Sequence, residues 1–322
     1  MRALTDIRDI GDRPRVVAGV AAVLVALVVA AAVLVPPTAP SGSSGAIVPP
    51  ADSPAAVASA APVPRFSHVY TIVLENRAAS KVLGDASAPY LNALASRYGV
   101  STAYTAVAHP SQPNYLALFS GSTQGVTDDS VHNLSAKTIA DQLEAAGKSW
   151  RVYAENIPSG CFTGARADDG SDGPGEYVRK HNPAISFTQI SSSPDRCRNI
   201  QPFASFDPAA AAYELIVPNM CHDGHDCSLQ TADDWLRGFV PRIAGSPAWG
   251  PGSVLFITFD ESDAKGRNND VVTVVVSPSM VNGTRSTVAH NHYSLLRTTQ
   301  AGLGLGCLAN SCAANTLSEF FH

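Results

Sequence analysis

Two short segments constrain the fold of this chain most. His68-Val-Tyr-Thr-Ile-Val-Leu74 and Val254-Leu-Phe-Ile-Thr-Phe259 are apolar runs rich in β-branched residues. That pattern belongs to strands buried on both faces of a parallel sheet. Each run stops at polar, mainly acidic residues, Glu75-Asn76 in one case and Asp260-Glu261 in the other. Trp150 to Ala154 and Val271 to Val276 read as further strands. Helical spacing appears over Ala88 to Tyr98, Ser111 to Ser120, Ser135 to Ala146, Asp233 to Ile243 and Tyr293 to Leu303. Strands alternating with helices predict an α/β sandwich around a mostly parallel sheet. Residues 155 to 210 are rich in Gly, Pro, Ser and Asp and are expected to form irregular surface excursions beside a site.

The 322 residues divide unevenly. Val16 to Val35 carries no charged or polar side chain, follows Arg2, Arg8, Arg13 and Arg15, and precedes a stretch without Lys or Arg up to Arg65. As a helix it spans roughly 30 Å, a bilayer core. The flanking charges leave residues 1 to 15 in the cytoplasm and send the rest outside. A signal anchor or a signal peptide is expected at 16 to 35, a Pro/Ala/Ser-rich linker over 36 to 65, and one domain over 66 to 322, placed outside the cytoplasm either tethered to the envelope or secreted. The net charge of −5, with no basic block, argues against nucleic acid as a partner. Six cysteines suit an exported disulfide framework. Local spacing suggests Cys221 with Cys227 and Cys307 with Cys312, leaving Cys161 with Cys197, among the many connectivities six cysteines allow. No CxxC pair marks a zinc site.

Chemistry is concentrated in six segments. In a parallel α/β sheet, ligands collect beyond the carboxyl ends of the strands, where Glu75, Asn76, Asp260 and Glu261 are expected. Converging oxygen ligands of that kind favour a hard or borderline divalent cation, although either pair alone also suits helix capping or ion pairing. His109-Pro-Ser-Gln-Pro-Asn114 puts Ser111 where a loop enters a helix, a position that favours an alkoxide and a phosphate and equally suits a plain cap. Asn219-Met-Cys-His222-Asp223-Gly-His225-Asp226 sets two His and two Asp around a Gly. Lys180-His181-Asn-Pro183 and His290-Asn-His292 complete the set. Six of the nine histidines fall in these segments. There is no GxSxG elbow for a serine esterase, and Gly302-Leu-Gly-Leu-Gly306 lacks dinucleotide spacing.

Taken in order, Glu75-Asn76-Arg77, HPSQPNY from His109, KHNP from Lys180, VPNMCHDGHD from Val217, FDES from Phe259 and HYSLLRT from His292 resemble the bacterial phosphoesterase family of acid phosphatases and phospholipases C. The spacing of PN, DGHD and ADDWL is most similar to that of the secreted acid phosphatases of mycobacteria. The resemblance implies the three-layer α/β/α sandwich of the alkaline phosphatase superfamily. It implies that Glu75, Asn76, Ser111, Asp260 and Glu261 bind one divalent ion (Mg, Ca, Mn, Fe or Zn), with Ser111 as the nucleophile of a phosphate monoesterase. His109, His181, His225 and His292 would act in catalysis, and Asn76, His109, Asn114, His181 and His292 would hold the substrate. Asp223, His225 and Asp226 would bind a second cation or lie behind the first. Asp260-Glu261, where two-metal members of the superfamily carry Asp-His, favours a single ion. The implied partner is a phosphate-ester small molecule or a phospholipid headgroup, met by a monomer. A phospholipase C-type diesterase and a non-catalytic, envelope-tethered binding protein are the competing readings.

Overall fold

The structure, a computed structural model, describes residues 62–167, 176–263 and 268–321. The expected membrane segment, and all of the linker up to residue 61, lie outside the described residues. No helix among the described residues is long and apolar enough to cross a membrane.

The chain runs through β1 (His68–Leu74), α1 (Pro89–Arg97), β2 (Gly99–Ser101), β3 (Tyr104–Thr105), α2 (Ser111–Ser120), α3 (Ile139–Ala145) and β4 (Trp150–Ala154). A middle section of short pieces follows: β5 (Arg166–Ala167), β6 (Tyr177–Val178), α4 (Pro183–Ser186), α5 (Thr188–Ser191), α6 (Pro194–Cys197) and β7 (Ile200–Gln201). The last third holds β8 (Tyr213–Val217), α7 (Leu229–Ala244), β9 (Ser253–Phe259), β10 (Thr273–Val276), β11 (Thr284–Ser286), β12 (His290–Asn291) and α8 (His292–Leu303). Eight strands form one sheet in the order β11-β2-β10-β9-β1-β8-β4-β7. Within it only β10 runs against its neighbours.

The two apolar runs that point to a parallel sheet lie side by side as β1 and β9, in register from His68 opposite Ser253 to Leu74 opposite Phe259. Helices cover both faces, because alternate residues of a strand point to opposite sides. Trp150 of β4 meets Phe119 of α2 with ring centroids 6.2 Å apart. Tyr153, three residues on and on the other face, meets Phe206, which packs on Phe239 of α7. The three cysteine pairs expected from local spacing are joined: Cys161–Cys197, Cys221–Cys227 and Cys307–Cys312.

Three departures from the sequence reading bear on the site. The strand β8 has no counterpart in that reading, because the charged Glu214 interrupts its apolar run. The helix α7 starts four residues before Asp233, where the Ser228 side chain accepts from the Thr231 N–H and caps it. Residues 155–210 are not all surface: Tyr177, Val178, His181, Ile185, Phe187 and Ile190 are buried. Arg179 stitches this section down by donating to the carbonyls of Thr163, His132 and Ile185.

Candidate active site

The carboxyl ends of three adjacent strands, β9, β1 and β8, deliver the acidic residues. Asp260 and Glu261 follow β9, Glu75 follows β1, and the loop after β8 carries Asp223. Backbone hydrogen bonds hold the three ends together: Glu75 N–H donates to Asp223 O at 2.9 Å, and Asp260 N–H to Leu74 O at 2.9 Å. Asn76 adopts φ 53°, a left-handed conformation that asparagine tolerates better than most residues. Its N–H donates to Asp260 Oδ1 at 3.1 Å. Gly224, at φ 88°, gives the 219–227 loop the turn that sets Asp223 beside β1. The Cys221–Cys227 bridge closes that loop, and Arg77 donates to Cys227 O.

Ser111 is the first residue of α2, and it caps nothing: Pro110 occupies the cap position without a side-chain bond. Its hydroxyl is instead 3.0 Å from Glu75 Oε2 and 3.3 Å from Glu261 Oε1, with Ser111 as donor. The Ser111 hydroxyl therefore faces the acidic strand ends and not the first turn of its own helix. His109 Nδ1 pairs with Glu261 Oε2 at the outer edge of the site.

Behind this layer lies His181, fully buried. Its Nε2 is 3.2 Å from Glu75 Oε1 and its Nδ1 3.2 Å from Asp223 Oδ2. Neither approach has hydrogen-bond geometry, so both ring nitrogens and Asp223 Oδ2 are buried without a hydrogen-bond partner, as is Asp260 Oδ2. Glu75, His181 and Asp223 each offer a ligand atom, and these atoms lie within 4.8 Å of one another. Buried, unpartnered oxygen and imidazole donors converging in this way fit a divalent cation. The grouping differs from the expected ligand set, since His181 joins Glu75 and Asp223 at its heart and not only at the substrate.

The electrostatics agree with a cation. Burial, followed by repulsion from Asp260 and Asp223, pushes Glu75 well above the ordinary carboxylate range. Burial, and then Asp260 and Asp226, does the same to Asp223. Asp260 is pushed up to about 7 by burial and by Glu261. Glu261 is pushed to about 7 by burial, with Asp129 adding to it. His181 is held well below its usual value by burial, Lys180 and His225. Four carboxyl groups in one dry pocket cannot all be ionised unless positive charge enters with them.

Two expected substrate contacts are corrected. Asn114 is saturated by its own loop: Oδ1 accepts from the Val107 and Ala108 N–H groups, and Nδ2 donates to Ala108 O and Pro110 O. An amide has no further capacity for phosphate once those bonds are made, so Asn114 ties down the loop that leads into α2. His292 is also committed at both nitrogens. Nδ1 meets the Tyr104 hydroxyl at 3.1 Å and Nε2 meets Asp260 O at 2.6 Å. Burial holds it neutral, with its pKa lowered to about 4, so it braces the β9 end from behind and lacks a free nitrogen for catalysis. His225 and Asp226 pair with each other at 2.6 Å on a half-exposed rim. The His225 ring lies 6.2 Å from the His181 ring. His222 turns away to Glu155.

The sequence reading gave no role to Tyr115 or Lys180, although both stand in its motif segments. Tyr115 donates to Glu75 Oε1 at 2.6 Å and stacks on His181 at 4.9 Å. Lys180 pairs with Asp129. Burial opposes its charge, but Glu75 and Asp129 outweigh that and hold it above the ordinary lysine value. The position of Tyr115 four residues after Ser111, one helical turn on, was the available signal.

A model of the Phosphoesterase family matches residues 81–306. The chain is 32% identical to a probable acid phosphatase of Kluyveromyces lactis over 74% of its own length and 59% of the relative's. It is 31% identical to a phosphatidylinositol-3-phosphatase of Mycobacterium tuberculosis over 76% of its length and 80% of the relative's. It spans 57% to 59% of the length of its fungal acid phosphatase relatives from K. lactis, Aspergillus fumigatus and Penicillium chrysogenum. Among solved structures, a protein of the alkaline phosphatase superfamily from Vibrio parahaemolyticus aligns with a TM-score of 0.55 at 11% identity, covering 79% of this chain and 70% of that one. A putative sulfatase from Bacteroides thetaiotaomicron aligns with a TM-score of 0.54 at 13% identity, over 80% and 74%. The fold is that of the alkaline phosphatase superfamily, an α/β sandwich with a mostly parallel sheet.

Proposed function

Because the chain belongs to the Phosphoesterase family, we propose that it is a hydrolase of phosphate monoesters, working outside the cytoplasm through Ser111 as nucleophile. One observation carries this reading: the Ser111 hydroxyl, at the start of a buried helix, is hydrogen-bonded to carboxylates from the ends of two different strands. A serine so held has a ready proton acceptor and the positive end of a helix for the charge that develops on the phosphoryl group.

The Ser111 oxygen attacks phosphorus in line while its proton passes to Glu75 Oε2 or Glu261 Oε1. The bond from phosphorus to the ester oxygen breaks as the bond to Ser111 forms. His109 and His225, the histidines at the accessible rim, are placed to protonate the departing oxygen. Water then attacks the phosphoserine, releasing inorganic phosphate and restoring the hydroxyl. Glu75, His181 and Asp223 would hold a divalent cation, with Asp260 beside them, and when bound it would supply charge neutralisation and Lewis acidity. The three disulfides support the extracytoplasmic placement. A relative named for removing phosphate from a phosphoinositide supports monoesters, free or on a lipid headgroup, over diesters.

The test is Ser111→Ala with p-nitrophenyl phosphate. Activity is expected to drop by about a thousandfold or more, with folding unchanged by circular dichroism. A residual rate within about tenfold of wild type removes Ser111 from the nucleophile role.

A further inference from the structure

His222 turns out of the carboxylate cluster toward Glu155, a residue with no part in the chemistry above. Glu155 directly follows β4, as Glu75 follows β1 and Asp260 follows β9. The strand β4 is the neighbour of β8, and the Glu155 N–H extends their ladder by donating to Val217 O at 2.9 Å. A fourth strand end therefore delivers an acidic side chain to the same rim of the sheet.

This carboxylate is spent on the loop after β8. One oxygen, Oε2, accepts from the Asn219 N–H at 3.0 Å and meets His222 Nδ1 at 2.9 Å. The Glu155 side chain is 15% exposed, so water competes little for these bonds. Buried Asn219 organises the turn that follows. Its side-chain oxygen accepts from the N–H groups of Cys221 and His222, at 3.1 and 2.9 Å. Its backbone carbonyl accepts from the Asp223 N–H at 2.9 Å, and the Asp223 carbonyl accepts from the Glu75 N–H. Hydrogen bonds thus run without a break from Glu155 through Asn219 and Asp223 to Glu75. On the outer side, the His222 ring stacks on Trp235 of α7 with centroids 6.3 Å apart.

The loop needs such an anchor because it carries an electrostatic load. Asp223 shares a dry pocket with Glu75 and Asp260, and repulsion among the three favours an outward loop. We propose that Glu155 is a positioning residue for the candidate metal centre: it holds the Asn219–Asp223 turn so that the Asp223 carboxylate is set beside Glu75 and His181 before a cation arrives. The role rests on the cation reading of those three residues. Without the anchor, part of the favourable energy of cation binding goes into ordering the loop, and affinity falls.

Hydrogen exchange and calorimetric titration on the full chain, stripped of metal, test it. Glu155→Ala is expected to speed amide exchange across 219–227 by about tenfold, with β1 and β9 unchanged. It is also expected to weaken the tightest-binding ion among Mg, Ca, Mn, Fe and Zn by about tenfold. Glu155→Gln keeps an oxygen for both donors and is expected to return both readings to within about threefold of wild type. Should Glu155→Ala not fold, His222→Phe keeps a ring on Trp235, removes one of the two bonds and is expected to shift both readings in the same direction by about threefold. Wild-type exchange at 219–227 in these variants overturns the anchor. Faster exchange with unchanged ion affinity overturns its role at the site. A Glu155→Gln variant no better than Glu155→Ala overturns the hydrogen bonds as the cause. If wild type binds none of the five ions, the cation reading is what fails. Faster exchange in Glu155→Ala then still sustains the hold on Asp223, and unchanged exchange still overturns it.

Discussion

Tyr115 shows how single side chains in this molecule are set by partners far away in sequence. Its hydroxyl stays protonated, because burial and the nearby Glu75 both oppose the phenolate. It can therefore only donate to Glu75 Oε1, while its ring fixes the plane of His181. Groups that orient metal-binding side chains in this way are commonly worth ten- to a hundredfold in affinity. Tyr115→Phe is accordingly expected to weaken divalent cation binding by about tenfold in a calorimetric titration while keeping the stacked ring. Unchanged affinity would show that Glu75 needs no such brace. Asn114 and His292 teach the complementary lesson. Both stand in motif segments that resemble a substrate site, yet every hydrogen-bonding position on each side chain is already used within the fold. The residue type at a motif position was legible in the sequence. Whether its polar atoms were free was not, because the competing partners are backbone groups and a tyrosine that only folding brings near.

At the level of elements, β8 is the instructive case. Tyr213-Glu-Leu-Ile-Val217 sits between β1 and β4 with every residue buried. Glu214 faces Tyr70 and Arg151 across the sheet. Burial, followed by the nearby Asp207, raises its pKa to about 8. The native protein thus keeps a proton on Glu214 that the unfolded chain releases near pH 4.5. Between roughly pH 4.5 and 8 the native state binds more protons, so this residue's contribution to stability falls as pH rises through that window. Glu214→Gln removes the penalty. Its stabilising effect in urea unfolding is expected to be larger at pH 8 than at pH 5 by about 3 kcal/mol. Equal effects at both pH values would mean the carboxyl is ionised and compensated in the native protein. The same chemistry explains why the strand was not legible: a charged letter inside an apolar run reads as a surface, and only the tertiary environment makes it neutral. By contrast, α2 has the bounds Ser111–Ser120 that helical spacing predicts, since its Pro near the first turn and the Gly that follows it are local stop and start signals.

For the molecule as a whole, the central strands collect four carboxylates at one rim, a load that destabilises the fold unless a cation shares it. Exhaustive chelation with EDTA is therefore expected to abolish phosphatase activity and to lower the melting temperature by several degrees, with both restored by one or more of Mg, Ca, Mn, Fe and Zn. Hydrolysis that persists in rigorously metal-free protein would contradict this. The amino-acid sequence by itself determined the α/β class, the two central strands and the acidic residues that end them, because apolar period and strand punctuation are local properties. Local spacing also suggested the two short-range cysteine pairs, Cys221–Cys227 and Cys307–Cys312, which the structure joins. Only the tertiary structure decided that Asp223 and His181 join Glu75 as one cluster and that Asn114 and His292 act as struts. Those facts depend on which strands lie adjacent and which buried polar atoms remain unmatched, and neither is encoded within any one segment.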